Sequence, residues 1–329
     1  MRKRVGIVFF QLGGPDTPEA VEPFLYNLFC DPDIIPLGPL GGLVRKPLAR
    51  YISRKRSQVV GHHYAEIGGQ SPIRRLTERQ ARRLEATLAP AFDARVFIAM
   101  RYWHPLTEKA VAEVLDAELD EIVLLPLYPH YSYATTLSSL KEWRRLYQSP
   151  ASAPAEHLVD HFYDHPLYIE AVADRIELAY SHFEHPARAH IVFSAHGLPM
   201  SLIEKGDPYQ KQIEQTVQLV IEHGGWPNDY TLCYQSRVGR QKWLEPSLTN
   251  TLPELIKRGE KNLLVVPISF VTEHIETLHE INIEAREQCM VLGAEQFEMM
   301  PAVGDSPRFI GALADLVLRA VGVETVQHA

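Results

Sequence analysis

The chain of 329 residues contains no G-x-G-x-x-G and no P-loop, so no phosphate-cradling loop points to dinucleotide or ATP use. No segment approaches 18 uninterrupted apolar residues, which excludes a membrane-spanning helix by pattern. Cysteine is scarce: Cys30, Cys233 and Cys289 are far apart, odd in number and form no C-x-x-C pair. That argues against a disulfide framework and for a reducing cytoplasm. Positive charge is also short, with 33 Lys and Arg against 41 Asp and Glu, and the net charge of -8 gives no support to nucleic-acid binding. What remains is an ordinary soluble globular composition, 46% hydrophobic and 22% charged, long enough for two medium domains. Met1-Arg2-Lys3-Arg4 before Val5–Phe10 superficially looks like a signal peptide, but the apolar run is too short and Leu12-Gly13-Gly14-Pro15 reads as a strand-to-loop turn.

Short apolar runs alternate with amphipathic stretches along the whole chain. Strands are expected at Val5–Phe10, Arg95–Met100, Ile122–Leu127, Ile191–Phe193, Thr231–Tyr234 and Leu263–Ser269. Helices are expected at Pro18–Leu28, Thr77–Leu88, Leu106–Ala117, Thr136–Tyr147, Leu167–His182, Pro208–His223, His274–Leu292 and Pro307–Ala320. Strands without polar alternation belong in parallel sheets covered on both faces. The halves also resemble each other: Val8–Pro15 parallels Ile191–Pro199, and Leu124–Leu127 parallels Val265–Ile268. The fold class is therefore α/β, two doubly wound Rossmann-like domains over 1–165 and 166–329, with a cleft between their strand ends and the last helix packing back on the first domain. The first domain carries an insertion at about 30–72. No acidic residue stands between Asp33 and Glu66, while Arg45, Lys46, Arg50, Arg54, Lys55 and Arg56 alternate with Ile34, Ile35, Leu37, Leu40, Leu43, Val44 and Leu48. Residues 34–58 are read either as a peripheral contact with an anionic membrane or as a helical pair with a solvated basic side.

Two segments carry chemistry. Ser194-Ala195-His196-Gly197-Leu198-Pro199 follows the strand Ile191–Phe193, so an unobstructed imidazole stands at a strand's carboxyl end, where open α/β sheets bind ligands. Beyond it, Asp207 is a plausible N-cap with Pro208 as first helical residue. The second segment is Thr272-Glu273-His274-Ile275-Glu276-Thr277-Leu278-His279-Glu280. Together they resemble the ferrochelatase family, and the resemblance runs from Leu12-Gly13-Gly14-Pro15 to about Val321. It implies insertion of Fe(II) into protoporphyrin IX with release of two protons, the last step of haem biosynthesis. His196 and Glu276 then serve as catalytic and metal-handling groups, with Fe(II) as substrate and no tightly bound cofactor. Some members hold an iron–sulfur cluster in a C-terminal extension; three cysteines, none after residue 289, do not provide four thiolates, so no cluster is expected.

The resemblance also implies pocket residues: Leu12, Arg56, Tyr64, Ser71, Arg101, Tyr102, Ser236 and Trp243 match positions that line the porphyrin or meet its propionates. Arginine and serine suit carboxylates; tyrosine and tryptophan suit a flat ring. Members acting on coproporphyrin carry tyrosine where Leu12 stands, so Leu12 favours protoporphyrin IX. Gln11 departs from the family's usual asparagine. His165 is a further candidate at the end of the fourth strand region.

Glu273, Glu276, Glu280, Glu284 and Glu287 recur at helical spacing and form a carboxylate stripe. Arg286 is the only Lys or Arg between Asn262 and Glu298. The stripe is either a solvated face or a proton or metal path through His274, Glu280 and Glu284. His274-x-Glu276-x-x-His279 is not the zinc-peptidase pattern, and no second E-x-x-H completes a di-iron set. Glu276 and Glu284 resemble the acidic pair of two-domain nucleotide-sugar glycosyltransferases, the runner-up, which leaves the His196 segment unexplained. A porphyrin carrier and a chelatase for another metal or tetrapyrrole are the remaining alternatives.

Overall fold

The apolar runs with the least polar interruption form the central strands of two parallel sheets. In the first, β1 (Arg4–Gln11) pairs with β2 (Asp93–Met100) and β3 (Glu121–Pro126), and β3 pairs with β4 (Ala155–Leu158), giving the order β2-β1-β3-β4. In the second, β5 (Ala189–His196) lies between β6 (Tyr230–Gln235) and β7 (Asn262–Pro267), and β7 pairs with β8 (Gln296–Met299), giving β6-β5-β7-β8. These ranges come from a computed structural model describing residues 2–32, 34–35, 37, 41–148, 153–237 and 241–323. Contacts divide the chain into two units. The first comprises residues up to Tyr128, Ser132–His161 and the chain from Ile310; the second comprises Pro129–Tyr131 and Phe162–Phe309.

The internal likeness read from the sequence has a register behind it. Phe10 pairs with Pro126 in the first sheet, and Ser194 pairs with Pro267 in the second. Counting two residues onward, Leu12 and His196 stand at equivalent positions past the same strand. Side chains alternate along a strand, so the face is inherited as well. Val8 and Phe10 face a core with Leu140 and Trp143, against which Leu12 packs. Val192 faces a core with Cys233, Leu252, Ile281, Ala285 and Cys289, so Ser194 and His196 turn to the side that carries the Glu276 helix.

Several elements differ from the sequence expectation. β4 and β8 are edge strands of four residues, too short and too polar to stand out. The basic insertion forms one helix, Gly41–Glu66, rather than a pair; Pro47 removes a hydrogen bond near its start without reversing the chain. Of the 34–58 segment, Pro36, Gly38, Pro39 and Leu40 lie outside the described residues. Helix Leu248–Lys257, carrying Pro253, had no counterpart in the expectation. The expected helix 274–292 is a π-helix, Glu276–Ala285, followed by a short α-helix, Arg286–Val291. Pro208 is the cap rather than the first helical residue: the helix begins at Tyr209, whose N–H donates to Asp207 Oδ1 at 3.0 Å.

The basic helix is tied to its own unit. Arg45 Nη1 donates to the carbonyls of Ile35 (2.7 Å) and Asp31 (3.2 Å), and Arg54 pairs with Glu22 at 3.5 Å. Arg50 lies over the Tyr26 ring and Arg56 over the Phe29 ring, at 5.8 and 5.7 Å. At the helix's approach, the Asp31 carboxylate, 1% exposed, gathers three donors on Oδ2: Arg101 Nη2 at 2.8 Å, the Tyr102 hydroxyl at 2.8 Å and Ser138 Oγ at 3.0 Å. Removing one partner of a buried charge pair typically costs about 3–5 kcal/mol because the other charge is stranded. Asp31→Ala should therefore lower the unfolding free energy by roughly that amount in urea titrations, and Asp31→Asn, which can still accept hydrogen bonds, by less.

Candidate active site

The order of the second sheet reverses at β5, so the gap between the carboxyl ends of β5 and β7 is its topological switch point. His196 closes β5 at that gap. Gly197 must follow it: a Cβ there would lie 2.8 Å from the Gln235 carbonyl and 3.5 Å from Trp243 Cε3. The chain then runs antiparallel to the Trp243 segment, with Met200 N–H donating to Lys242 O and Leu244 N–H to Leu198 O, each at 2.9 Å. Trp243 is thus fixed beside Gly197, and its indole N–H is buried without an acceptor among the described residues.

From the other side of the gap, β7 runs through Ser269 and Phe270 into the π-helix. His196 Nδ1 donates to Glu276 Oε2 at 2.8 Å, with the imidazole side chain 36% and the carboxylate side chain 22% exposed. His274 Nε2 is 3.8 Å from the same carboxylate oxygen. Phe270 meets His274 at 4.3 Å between ring centres and stands edge-on to His196 at 6.3 Å. His274 is buried, and neither ring nitrogen has a hydrogen-bond partner among the described residues.

The charges set one another's protonation. Burial alone would pull His196 down, but the Glu276 charge, the hydrogen bond to it and the Glu280 charge hold the imidazole above its ordinary range. Burial likewise opposes ionisation of Glu276, yet the charge of His196, the hydrogen bond from it and the nearby His274 hold it well below the usual carboxylate range. Glu280 goes the other way. Burial and the neighbouring Glu276 charge push it up to about 7, against the pull of Ser236 and His196, with Glu284 adding to the rise. An ionised carboxylate and a carboxyl that titrates near neutrality therefore stand one turn apart on one helix.

Ser236, read from the sequence as a pocket residue, donates to Glu280 Oε2 at 2.6 Å. It adopts φ of 62°, a left-handed conformation that a residue with a Cβ rarely takes. The π-turn keeps Glu276, Glu280 and Glu284 on adjoining turns, since residues four apart remain neighbours. The stripe nonetheless breaks at both ends. Glu273 is occupied on both oxygens, by Thr277 Oγ1 (2.5 Å) and the Ala302 N–H (2.7 Å), and it clamps the helix start rather than extending the row. Glu284 and Glu287 are exposed. His165 lies at the start of helix Pro166–Tyr180 rather than at a strand end, and it is buried.

The remaining candidates belong to the first unit. Leu12 packs against its core and Arg56 is exposed. Tyr64 and Ser71 are buried; Ser71 N–H donates to Pro15 O at 2.7 Å, and a Cβ on Gly14 would meet Ser71 Oγ at 2.5 Å. Tyr102, expected to face a flat ring, is 1% exposed with its hydroxyl on Asp31, a placement that supports Arg101 instead. Sequence reasoning missed Ser269, Phe270 and Tyr209 as neighbours of His196. The strand-end rule applied to β7 would have drawn attention to the first two.

A family model described as Ferrochelatase matches residues 4–321. The chain is 47% identical to a ferrochelatase of Geotalea uraniireducens over 324 residues, covering 98% of this chain and all (100%) of that one. It is 46% identical to a ferrochelatase of Aquifex aeolicus over 321 residues, covering 96% and 99%. A ferrochelatase of Picosynechococcus is 47% identical over 318 residues, covering 95% of this chain and 82% of the relative. Among solved structures, SirB from Bacillus subtilis with Fe3+ superposes with a TM-score of 0.57 at 12% identity, covering 97% and 96% of the two chains. That likeness extends to the fold alone.

Proposed function

The chain belongs to the ferrochelatase family, enzymes that insert ferrous iron into a porphyrin, and on that premise we propose that His196 and Glu276 handle the metal and the pyrrole protons. The observation that carries this reading is the 2.8 Å contact between His196 Nδ1 and Glu276 Oε2 at the switch point of the second sheet. An imidazole and a carboxylate both suit Fe(II), and the imidazole can ligate only after losing its extra proton. Before metal arrives, the pair holds that proton on His196. An incoming dication repels it, leaving a nitrogen lone pair and an oxyanion directed at the same small volume. Two protons must then leave the porphyrin for each iron inserted. Glu276 is already ionised and can accept one, and Glu280, titrating near 7, can accept a proton from it and release it near neutral pH.

We read protoporphyrin IX as the porphyrin, with Leu12 offering an apolar contact, Arg56 and Arg101 suited to propionates, and Trp243 to the ring. Peripheral contact with an anionic bilayer belongs to the same proposal. It is supported by Leu43, Val44, Tyr51 and Val59, which are exposed on the helix that carries the exposed cations Lys46 and Lys55. Among the described residues no helix is long and apolar enough to cross a membrane.

His196→Ala is expected to abolish iron insertion, measured anaerobically by haem absorbance, while leaving the circular dichroism spectrum unchanged; near-normal turnover by the folded variant would remove His196 from the mechanism. On substrate choice, kcat/KM should be higher for protoporphyrin IX than for coproporphyrin III, and a clear preference for the latter would overturn the role given to Leu12. For Glu280, a carboxyl raised from 4.5 to about 7 binds a proton in the folded state that the unfolded chain has released. Its contribution to stability is present below pH 4.5 and lost as pH rises through about 7. Glu280→Gln should therefore gain Tm relative to the parent as pH climbs through that window, and its kcat should fall because the exchangeable acid is gone. An unaltered kcat would sink the relay.

A further inference from the structure

His196 is held by its backbone as well as by its imidazole. Its N–H donates to Ser269 Oγ at 3.0 Å, and its carbonyl accepts the Tyr209 hydroxyl at 2.9 Å. Ser269 belongs to the stretch that leaves β7 and carries Phe270, His274 and Glu276 into the π-helix. The Ser269 and Tyr209 hydroxyls therefore hold the two peptide groups of one residue and form a clamp on the His196 backbone. Tyr209 is a firm anchor. It is 6% exposed, it starts helix Tyr209–Gly224 with its N–H on Asp207 Oδ1, and its ring meets the edge of His130 at 5.9 Å. His130 in turn is bonded to Thr216 Oγ1 on the same helix, at 2.9 Å.

The Ser269 arm of the clamp spans the switch point. β5 and β7 are paired only as far as Ser194 and Pro267, with Ile268 N–H donating to Ser194 O at 3.0 Å. Beyond that rung, the bond from His196 N–H to Ser269 Oγ is what carries the registration of the two strands up to the imidazole. His196 is itself held to β6 opposite Gln235, but without the Ser269 bond the segment that delivers Glu276 could move away from it by a rotation at Ser269 without breaking a β5–β7 ladder bond. A ligand pair is useful to a metal only when its donor atoms are held at a fixed separation.

We propose that Ser269 and Tyr209 are positioning residues that set the His196–Glu276 separation and with it the affinity for the metal; this rests on the assignment of that pair to the metal. Neither side chain is a catalytic residue. The test is steady-state insertion of Fe(II) under anaerobic conditions by the full chain, titrating metal and porphyrin separately. Ser269→Ala and Tyr209→Phe each remove one hydrogen bond to the His196 backbone, and each should raise KM for Fe(II) by roughly three- to tenfold, the effect of one such bond, with KM for porphyrin within about twofold. Ser269→Thr keeps the hydroxyl and should restore the metal KM. The proposal is overturned if the two KM values rise together, if neither moves, or if Ser269→Thr is as impaired as Ser269→Ala. Should Ser269→Ala fail to fold, Tyr209→Phe, which retains the buried ring against His130, decides alone. His196→Ala in the same assay separates the two levels: normal turnover there defeats the parent reading, whereas its loss alongside unmoved clamp variants defeats only the clamp.

Discussion

The arrangement of charge at the second unit's switch point depends on one contact, the 2.8 Å hydrogen bond from His196 Nδ1 to Glu276 Oε2. It joins the end of a strand to the start of a helix that follows a different strand. It also fixes the proton on the imidazole, which keeps Glu276 ionised. The ionised Glu276 then discourages ionisation of Glu280, so three groups on two elements take their protonation from a single pair. In a partly desolvated site such couplings are far stronger than in water, and moving any one group resets the others.

The two units show how little of this depends on the sheet itself. Both have the same strand order and the same register at the proline of the strand beside the central one. The position two residues beyond that register holds Leu12 in one and His196 in the other. In the first unit it packs against an apolar core. In the second it ends a face that continues through Val192 and Ser194 toward the π-helix. A doubly wound sheet offers a ligand position at each switch point, and the side chain placed there decides whether that position carries chemistry.

Local departures from regular structure gather around the same place. The π-helix widens the turn where Glu276 and Glu280 sit, and Ser236 accepts a left-handed conformation that brings its hydroxyl to Glu280. Such departures persist where surrounding contacts over-determine them. Here the contacts are visible: Glu273 bonds both Thr277 and the Ala302 N–H, pinning the helix start to the chain that follows β8. The carboxylate row is therefore a composite, with a clamp at one end, a coupled pair in the middle and exposed acids beyond.

The sequence by itself determined the strands of both sheets' interiors, the likeness of the two halves, and His196 and Glu276 as chemically meaningful residues. Each is a local matter: a β-branched run wants burial on both faces, and a histidine between Ala195 and Gly197 is legible without knowing its neighbours. The edge strands Ala155–Leu158 and Gln296–Met299 were not legible, because an edge is defined by what it pairs with rather than by its own pattern. Nor was the π-turn, since the 3- and 4-residue spacing of the glutamates fits either helix. Only the tertiary structure decided that Tyr102 and Arg101 converge on Asp31, that Glu273 is a clamp, and that Ser269 and Tyr209 grip the His196 backbone. These pairings join residues up to 73 positions apart, as with His196 and Ser269. They arise because parallel strands bring distant chain segments to a common edge, a proximity that no local spacing encodes.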